Sequence, residues 1–207
     1  MLKLYYAPQT IALASHIALE EAGAEYEAVR VNFADNGQRS PQYLAVNPKG
    51  RVPSLVTDRG ILTETPAILA YIAQSYPGSN LAPSGDAFAF ARLQSFCAYL
   101  CSTVHVAHAH MRRGQRWADD PAAIAEMARK VPQTMGDCFD LIERDMFGGP
   151  WVMGGQYTFA DPYLFTLASW LERDNVDSKH FPRILDHRER MAERPAVKRA
   201  LAEQNRA

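Results

Sequence analysis

The stretch from Val52 to Pro66 constrains the fold more than any other part of this chain of 207 residues. A loop ending in Val52-Pro53 is followed by a short apolar run that predicts a β-strand. Asp58-Arg59-Gly60 predicts a turn into a second strand, and Thr65-Pro66 predicts the start of a helix. A strand, a tight turn, a second strand and a helix in close succession favour a mixed α/β domain.

The start of that helix also predicts a binding site. Thr65 as N-cap and Pro66 at the first helical position leave backbone amides that, with the positive end of the helix dipole, attract a carboxylate. Glu64, one residue earlier, can hold an ammonium group at the same place. Extended backbone at Val52-Pro53 can pair with a peptide-like ligand as an added strand does. Together they predict a site for the α-amino acid end of a ligand.

The first third of the chain has the element order of a thioredoxin-like domain. Alternating and helical apolar patterns predict β-α-β-α-β-β-α, and the first two strands are expected to be parallel because a helix joins them. Besides the hairpin, the predicted elements are strands at 2–6 and 26–33 and helices at 11–22, at 41 to before 47, and at 66–76.

The rest of the chain is predicted to be helical. Turn-forming residues concentrate at 77–85, so we place a linker there between a domain at 1–76 and an all-α domain at 86–207. Pro132 interrupts a helical pattern and predicts a kink or a break. Apolar spacing and capping signals predict helices at 86–113, 121–146, 158–170, 181–193 and 195–204.

Bulk properties exclude several function classes. The 22 basic and 23 acidic residues nearly balance, which disfavours nucleic acid and anionic membranes as partners. Three cysteines form neither a disulfide framework nor a zinc motif, as is usual in a reducing compartment. No apolar run approaches the length of a membrane span, and we therefore expect a cytoplasmic protein.

Several motifs together resemble a known family. The segment from Asn47 to Leu55, with the pattern Asn-Pro-x-Gly-x-Val-Pro-x-Leu, and the segment from Leu62 to Ile68 resemble the glutathione site of the cytosolic glutathione transferases. The opening from Lys3 to Pro8 and the late block from Thr158 to Phe165 resemble the bacterial beta class. The resemblance covers essentially the whole chain. It implies a cis Val52-Pro53 bond, glutathione as co-substrate, a homodimer and a pocket for a small hydrophobic electrophile between the two domains.

A glutathione transferase must stabilise a thiolate. Lowering a thiol pKa of about 8.5 by two units requires about 2.7 kcal/mol. A helix N-terminus contributes roughly 0.3 to 1 kcal/mol, and one hydrogen bond to the charged sulfur adds roughly 1.5 to 3 kcal/mol. A hydrogen-bond donor is therefore expected between the first strand and the first helix.

At the position where this donor is expected, the sequence differs from the beta-class pattern. Ile11 occupies the position of the family's cysteine, and the first domain contains no cysteine that could form a mixed disulfide. Thr10 is the best remaining hydroxyl and Tyr6 the second. Thr10 can equally serve only as a helix cap, and Tyr6 fits a packed strand aromatic.

Other family positions are only partly retained. The resemblance assigns ligand contacts to Val52, Pro53, Glu64 and Thr65, and places His105 on the cleft wall. The family's loop lysine falls near Asn36, so that Arg39 or Arg51 must replace it at the glycyl carboxylate. The family's residues that reach the neighbouring subunit's ligand are replaced by Ala98 and Thr103.

Clusters of histidine, cysteine and arginine in the predicted helical domain can be explained without a metal site or a redox pair. His105 and His108 share a helical face, but His110 points away and no nearby carboxylate completes a set, so no metal is expected. Cys97 and Cys101 fit packed small residues better than a redox pair. Trp117, after Arg112, Arg113 and Arg116, fits either the cleft rim or a solvated helix end.

The sequence thus predicts an enzyme that joins glutathione thiolate to a small hydrophobic electrophile. Two alternatives stay open. One is a non-catalytic binding or interaction protein of the same fold, suggested by the departures at Ile11, Asn36, Ala98 and Thr103. The other is a glutathione-dependent isomerase or dehalogenase, which uses the same thiolate on a different second substrate.

Overall fold

The computed structural model describes residues 1–205. A four-stranded sheet in the order β2-β1-β3-β4 forms the first unit, with β1 and β2 parallel and the remaining neighbours antiparallel. The predicted thioredoxin-like arrangement is confirmed. Its elements are β1 (Leu2–Tyr6), α1 (Ala12–Glu21), β2 (Tyr26–Arg30), α2 (Pro41–Val46), β3 (Ser54–Thr57), β4 (Gly60–Thr63) and α3 (Thr65–Ser75).

The second unit is helical, as predicted. Its helices are α4 (Ala87–Tyr99), α5 (His105–Arg113), α6 (Pro121–Leu141), α7 (Ala160–Ala168), α8 (Pro182–Glu193) and α9 (Pro195–Gln204). A π-helical segment at Leu100–Val104 joins α4 to α5, so the long helix predicted for 86–113 is continuous. Within residues 1–205, no helix has the length and apolar character needed to span a bilayer.

Three local predictions need correction. β2 ends at Arg30 rather than Phe33, because the pairing with β1 ends there. α3 begins at Thr65, so Glu64 and not Thr65 precedes the first helical residue. Of the kink or break predicted at Pro132, the break is wrong, since α6 runs through it, and the kink stays a prediction. Buried side chains on both sides of Pro132 hold that helix on its neighbours, and this packing outweighs one missing backbone hydrogen bond.

The largest buried cluster extends through both units. Leu4 and Ile68 from the sheet unit belong to the same cluster as Leu93 and Phe139 from the helical unit. Residues 76–86, between α3 and α4, hold one short 3-10 turn at Pro77–Ser79. The domain limits at 1–76, 77–85 and 86–207 stay a prediction, and residues 206 and 207 lie outside the described chain.

A buried carboxylate joins α7 to the segments around it. Asp161 is fully buried and accepts hydrogen bonds from the Thr158 amide (2.7 Å) and the Val152 amide (2.8 Å). The Thr158 amide bond resembles one half of a capping box, in which a side chain three residues further along accepts from a backbone amide. The Nε2 atom of His187, also fully buried, lies 3.1 Å from Asp161. One side chain thus fixes α7, the preceding loop and α8 relative to each other.

Candidate functional site

A cleft of about 270 Å³ lies between the sheet unit and the helical unit. On the sheet side its walls come from the start of α1, the loop before β3 and the start of α3. On the other side they come from α5 and α7. Nearly all the predicted site residues line this cleft, the exception being Tyr6. The predicted residues on its walls are Thr10, Arg51, Val52, Pro53, Glu64, Thr65 and His105.

Buried polar side chains hold the loop that ends in the cis Val52-Pro53 bond. The Tyr43 hydroxyl donates to the Arg51 carbonyl (2.6 Å), and the Asn47 side-chain amide donates to the same oxygen (2.7 Å). Both side chains also contact the buried Ser54 hydroxyl, at 3.0 and 3.1 Å. Because these groups are removed from water and satisfied by each other, they fix the loop backbone beside the cleft.

Gly50 permits the close approach of a neighbouring loop. Its φ of +60° is in the left-handed region, and a Cβ there would lie 2.8 Å from the Gln38 carbonyl and 3.0 Å from Nη1 of Arg39. Any other residue is therefore excluded by both conformation and space. The glycine lets Arg39 reach the cleft next to Arg51. Arg39 and Arg51 are the two candidates for binding a glycyl carboxylate.

Glu64 has a strained backbone and a cationic partner. Its φ of +73° and ψ of 120° are unusual for a residue with a side chain, and such conformations concentrate at functional sites. Its carboxylate pairs with Lys49, whose ammonium also donates to the Thr63 hydroxyl at 2.7 Å. Both charged side chains are about half exposed, so the ion pair is weak. A ligand ammonium can therefore compete with Lys49 for Glu64.

The two candidate hydroxyls have different surroundings. Thr10 lines the cleft at the start of α1, donates to the Ala7 carbonyl (2.7 Å) and accepts from the Ala12 amide (3.3 Å). Tyr6 is buried, and its hydroxyl lies 3.5 Å from the Glu203 carbonyl. Tyr6 therefore packs beneath α1 and away from the cleft, which agrees with its interpretation as a packed aromatic residue of the first strand.

His105 begins α5 directly after the π-helical segment and lines the cleft. Its ring lies 5.4 Å from that of Trp170. Burial, followed by the nearby His108, Arg116, Arg51 and Arg113, lowers the pKa of His105 to about 4. The ring is therefore neutral at physiological pH and can exchange hydrogen bonds with a ligand without adding charge.

His108 lies one turn further along α5 and has a partner that the sequence did not reveal. Its Nδ1 atom is 2.6 Å from Oδ2 of Asp174, which is only 1% exposed. The His108 ring stacks on Trp170 with a centroid distance of 4.1 Å. This arrangement fixes the ring and leaves Nε2 for a ligand. The pairing of His108 with Asp174 could not be predicted from the sequence, because the two residues are 66 positions apart along the chain.

Arginines dominate the charge of the cleft. Within residues 1–205, five of them line it, and Glu64 is the only carboxylate among the lining residues. Trp117 lines the cleft as well, which agrees with the first of the two interpretations of its cluster. The lining arginines are Arg39, Arg51, Arg113, Arg116 and Arg173. No group of three or more metal-binding side chains occurs within residues 1–205.

Comparison with known protein families decides the assignment. The model of the glutathione S-transferase N-terminal domain matches residues 1–74, and that of the C-terminal domain matches residues 108–204. This chain belongs to the glutathione S-transferase family. The resemblance inferred from the sequence motifs is confirmed, as is the fold class.

Individual relatives of this transferase cover its whole length. Glutathione S-transferase GstA of Escherichia coli O157:H7 is 30% identical over 97% of this chain and 98% of its own. The maleylacetoacetate isomerase of Pseudomonas aeruginosa PAO1 is 30% identical over 96% and 95%, respectively. Among solved structures, a glutathione transferase homolog from Sulfitobacter with bound glutathione superimposes with a TM-score of 0.95 and 45% identity, covering 98% of each chain.

The neutral His105 makes the stability of this transferase depend on pH. Its folded-state pKa lies below the ordinary value of 6.5, so the unfolded chain takes up the proton first as the pH falls. Stability is lost as the pH drops through 6.5, and the loss levels off below 4. Between pH 7 and pH 5.5 we expect His105 to account for about 1 kcal/mol of lost unfolding free energy.

Urea unfolding of the wild type and of His105→Gln at both pH values measures this difference. The variant should lose about 1 kcal/mol less on acidification. His180→Gln is the matched control, because His180 is exposed and should leave the pH dependence unchanged. Equal losses in the wild type and His105→Gln would show that His105 is not held neutral by burial.

Proposed function

We propose that this transferase binds glutathione in the cleft and joins its thiolate to a small electrophile. The observation that carries the proposal is the convergence of the loop at Val52-Pro53, the start of α3 and the start of α1 on one cavity. These are the segments that the motifs predicted to form a glutathione site. The Sulfitobacter relative, described with glutathione bound, supports the assignment.

The binding pose follows from the chemistry of the walls. The α-carboxylate of the γ-glutamyl end lies at Thr65, at the positive end of the α3 dipole, and its ammonium takes the place of Lys49 on Glu64. The extended backbone at Val52 pairs with the cysteinyl residue. Arg39 or Arg51 binds the glycyl carboxylate. Isothermal titration calorimetry with glutathione tests the pose, and absence of binding below millimolar concentration would refute it.

Thr10 is the proposed sulfur donor. To donate to the thiolate its hydroxyl must leave the Ala7 carbonyl, so it exchanges a neutral hydrogen bond for a charged one. That exchange leaves a net gain of about 1 kcal/mol from the hydroxyl. The α1 dipole and the field of the arginines supply the remaining stabilisation of the anion.

Replacing Thr10 by valine is therefore expected to lower kcat/KM about fivefold and to raise the pKa of bound glutathione by about 0.7. The reason is that valine keeps the shape of threonine but cannot donate. Steady-state assays across pH with several electrophiles measure both quantities. Thr10→Ser keeps the hydroxyl and should stay near wild type. Equal rates for wild type and Thr10→Val would remove Thr10 from the mechanism.

Glutathione-dependent isomerisation is a second candidate, favoured by the Pseudomonas aeruginosa isomerase relative. Conjugation consumes one thiol for each product, whereas isomerisation returns the thiolate and consumes none. Measuring free thiol during turnover of an activated cis-olefin separates the two reactions. A protein that binds glutathione but turns over no substrate would instead fit the non-catalytic alternative.

We also propose a cytoplasmic homodimer. Phe88 on α4 is 75% exposed and Ile61 on β4 is 44% exposed, and each is a large apolar side chain that an assembly can cover. The free thiols of Cys97, Cys101 and Cys138 support a reducing compartment. Light scattering tests the assembly, because a species of 23.1 kDa would be a monomer.

A further inference from the structure

Four of the arginines that line the cleft have no acidic partner in the part of the chain that the structure describes. Among residues 1–205, no carboxylate forms an ion pair with Arg39, Arg51, Arg113 or Arg116. Glu64, the only acid on the cleft wall among the described residues, already pairs with Lys49. The cleft therefore carries several positive charges that a ligand must balance.

These four guanidinium groups come from both units, and Arg116 lies close enough to the other three for their charges to act on it. Burial, followed by the charges of Arg113, Arg51 and Arg39, lowers the pKa of Arg116 to about 10. Like charges held together without a counter-ion repel one another. Such an arrangement favours binding of an anion and attracts it from solution.

If glutathione binds as in the function proposed above, it does not by itself balance the positive charge of the cleft. Its ammonium binds Glu64, its α-carboxylate binds at the start of α3, and its glycyl carboxylate needs only Arg39 or Arg51. The thiolate adds one negative charge beside Thr10. Arg113 and Arg116, on the wall contributed by the helical unit, are left without an anionic partner.

The surroundings of Arg113 and Arg116 suit a flat apolar group. Trp117 is 47% exposed at the cleft and contacts the His110 ring with a centroid distance of 4.3 Å. Val106 and Ala109 line the adjoining wall. A ring can therefore lie against this wall while a negative group on it reaches the guanidinium groups.

We infer that the second substrate is an aromatic electrophile that carries an anionic group, such as a carboxylate, which Arg113 and Arg116 bind. This narrows the neutral hydrophobic electrophile that the family resemblance implies. In the test reaction, the glutathione sulfur attacks the ring carbon that carries chlorine and forms a C–S bond. The C–Cl bond breaks, chloride leaves with its electron pair, and the proton of the glutathione thiol passes to the solvent.

Two matched electrophiles isolate the effect of charge. One is a chlorodinitrobenzene with a carboxylate para to the chlorine, and the other is the same ring with a neutral carboxamide there. For each electrophile, kcat/KM is divided by the rate constant of its uncatalysed reaction with glutathione. We expect this ratio to be about tenfold higher for the carboxylate than for the carboxamide. Arg116→Gln and Arg113→Gln should each reduce the carboxylate rate several-fold more than the carboxamide rate, because the weaker field at the thiolate slows both electrophiles alike.

Arg112→Gln is the control, because Arg112 is an exposed arginine on the same helix that does not line the cleft. It should change neither rate. Raising the ionic strength should weaken turnover of the carboxylate more than that of the carboxamide. The inference is overturned if the two electrophiles react equally well, or if Arg116→Gln and Arg113→Gln affect both to the same extent.

Absence of turnover with both rings would refute the proposed function without deciding the anion site. Calorimetry with the two preformed glutathione conjugates then decides it. We expect the carboxylate conjugate to bind about tenfold more tightly than the carboxamide conjugate, and Arg116→Gln to reduce the difference several-fold. Equal affinities for the wild type would overturn the inference.

Discussion

Replacing Asp161 by alanine is expected to lower the free energy of unfolding by about 4 kcal/mol. The carboxylate is fully buried and accepts from the amides of Val152 and Thr158, and His187 lies 3.1 Å away. Without it, these buried polar groups have no partner and no access to water. Urea unfolding followed by circular dichroism measures the change.

Asp186→Ala provides the control for this experiment. Asp186 pairs with Arg190 on the surface and is 64% exposed, so its removal should change stability by less than about 1 kcal/mol. If Asp161→Ala does not fold, Asp161→Asn gives a second measurement. Asparagine keeps one acceptor oxygen but turns an NH₂ group toward a donor, so it should also destabilise. A change below about 1 kcal/mol for both Asp161 variants would contradict the assigned role.

Replacing Glu64 by glutamine is expected to raise the Kd for glutathione about thirtyfold. In the proposed pose Glu64 accepts a charge-assisted hydrogen bond from the γ-glutamyl ammonium. Glutamine keeps the size of the side chain and loses its charge, so the bond weakens by about 2 kcal/mol. Calorimetric titration of glutathione into the variant measures the change.

Glu27→Gln is a matched control for Glu64→Gln. Glu27 is also about half exposed and also pairs with a lysine, Lys3, but it lies on β2 away from the cleft. Its replacement should leave the affinity for glutathione unchanged. An unchanged Kd in Glu64→Gln would show that the ligand ammonium binds elsewhere, and the proposed pose would have to be abandoned.

Local sequence patterns predicted the elements of the fold well. The hairpin of β3 and β4 follows from two short apolar runs around a turn, and both its strands were expected. The parallel pairing of β1 and β2 follows from the intervening helix, since parallel strands need a crossover connection. These predictions succeeded because backbone geometry and apolar periodicity are properties of neighbouring residues.

Predictions were weaker where the outcome depended on distant neighbours. A break at Pro132 was one of the two outcomes expected there, yet buried side chains on either side keep α6 continuous. Tyr6 was a candidate for catalysis, but α1 and the C-terminal region cover it. The pairing of His108 with Asp174 was not anticipated, because helix packing alone brings the two residues together.

By itself, the sequence determined the element order and the family, and it located part of the cleft wall. The stretch from Val52 to Pro66 contributed much to this, because the pairing of β3 with β4 and the start of α3 lie within some twenty consecutive residues. Only the tertiary structure decided the charge of the cleft. Arg39 and Arg51 are far from Arg113 and Arg116 along the chain, and electrostatic repulsion depends on distance in space rather than on separation in sequence.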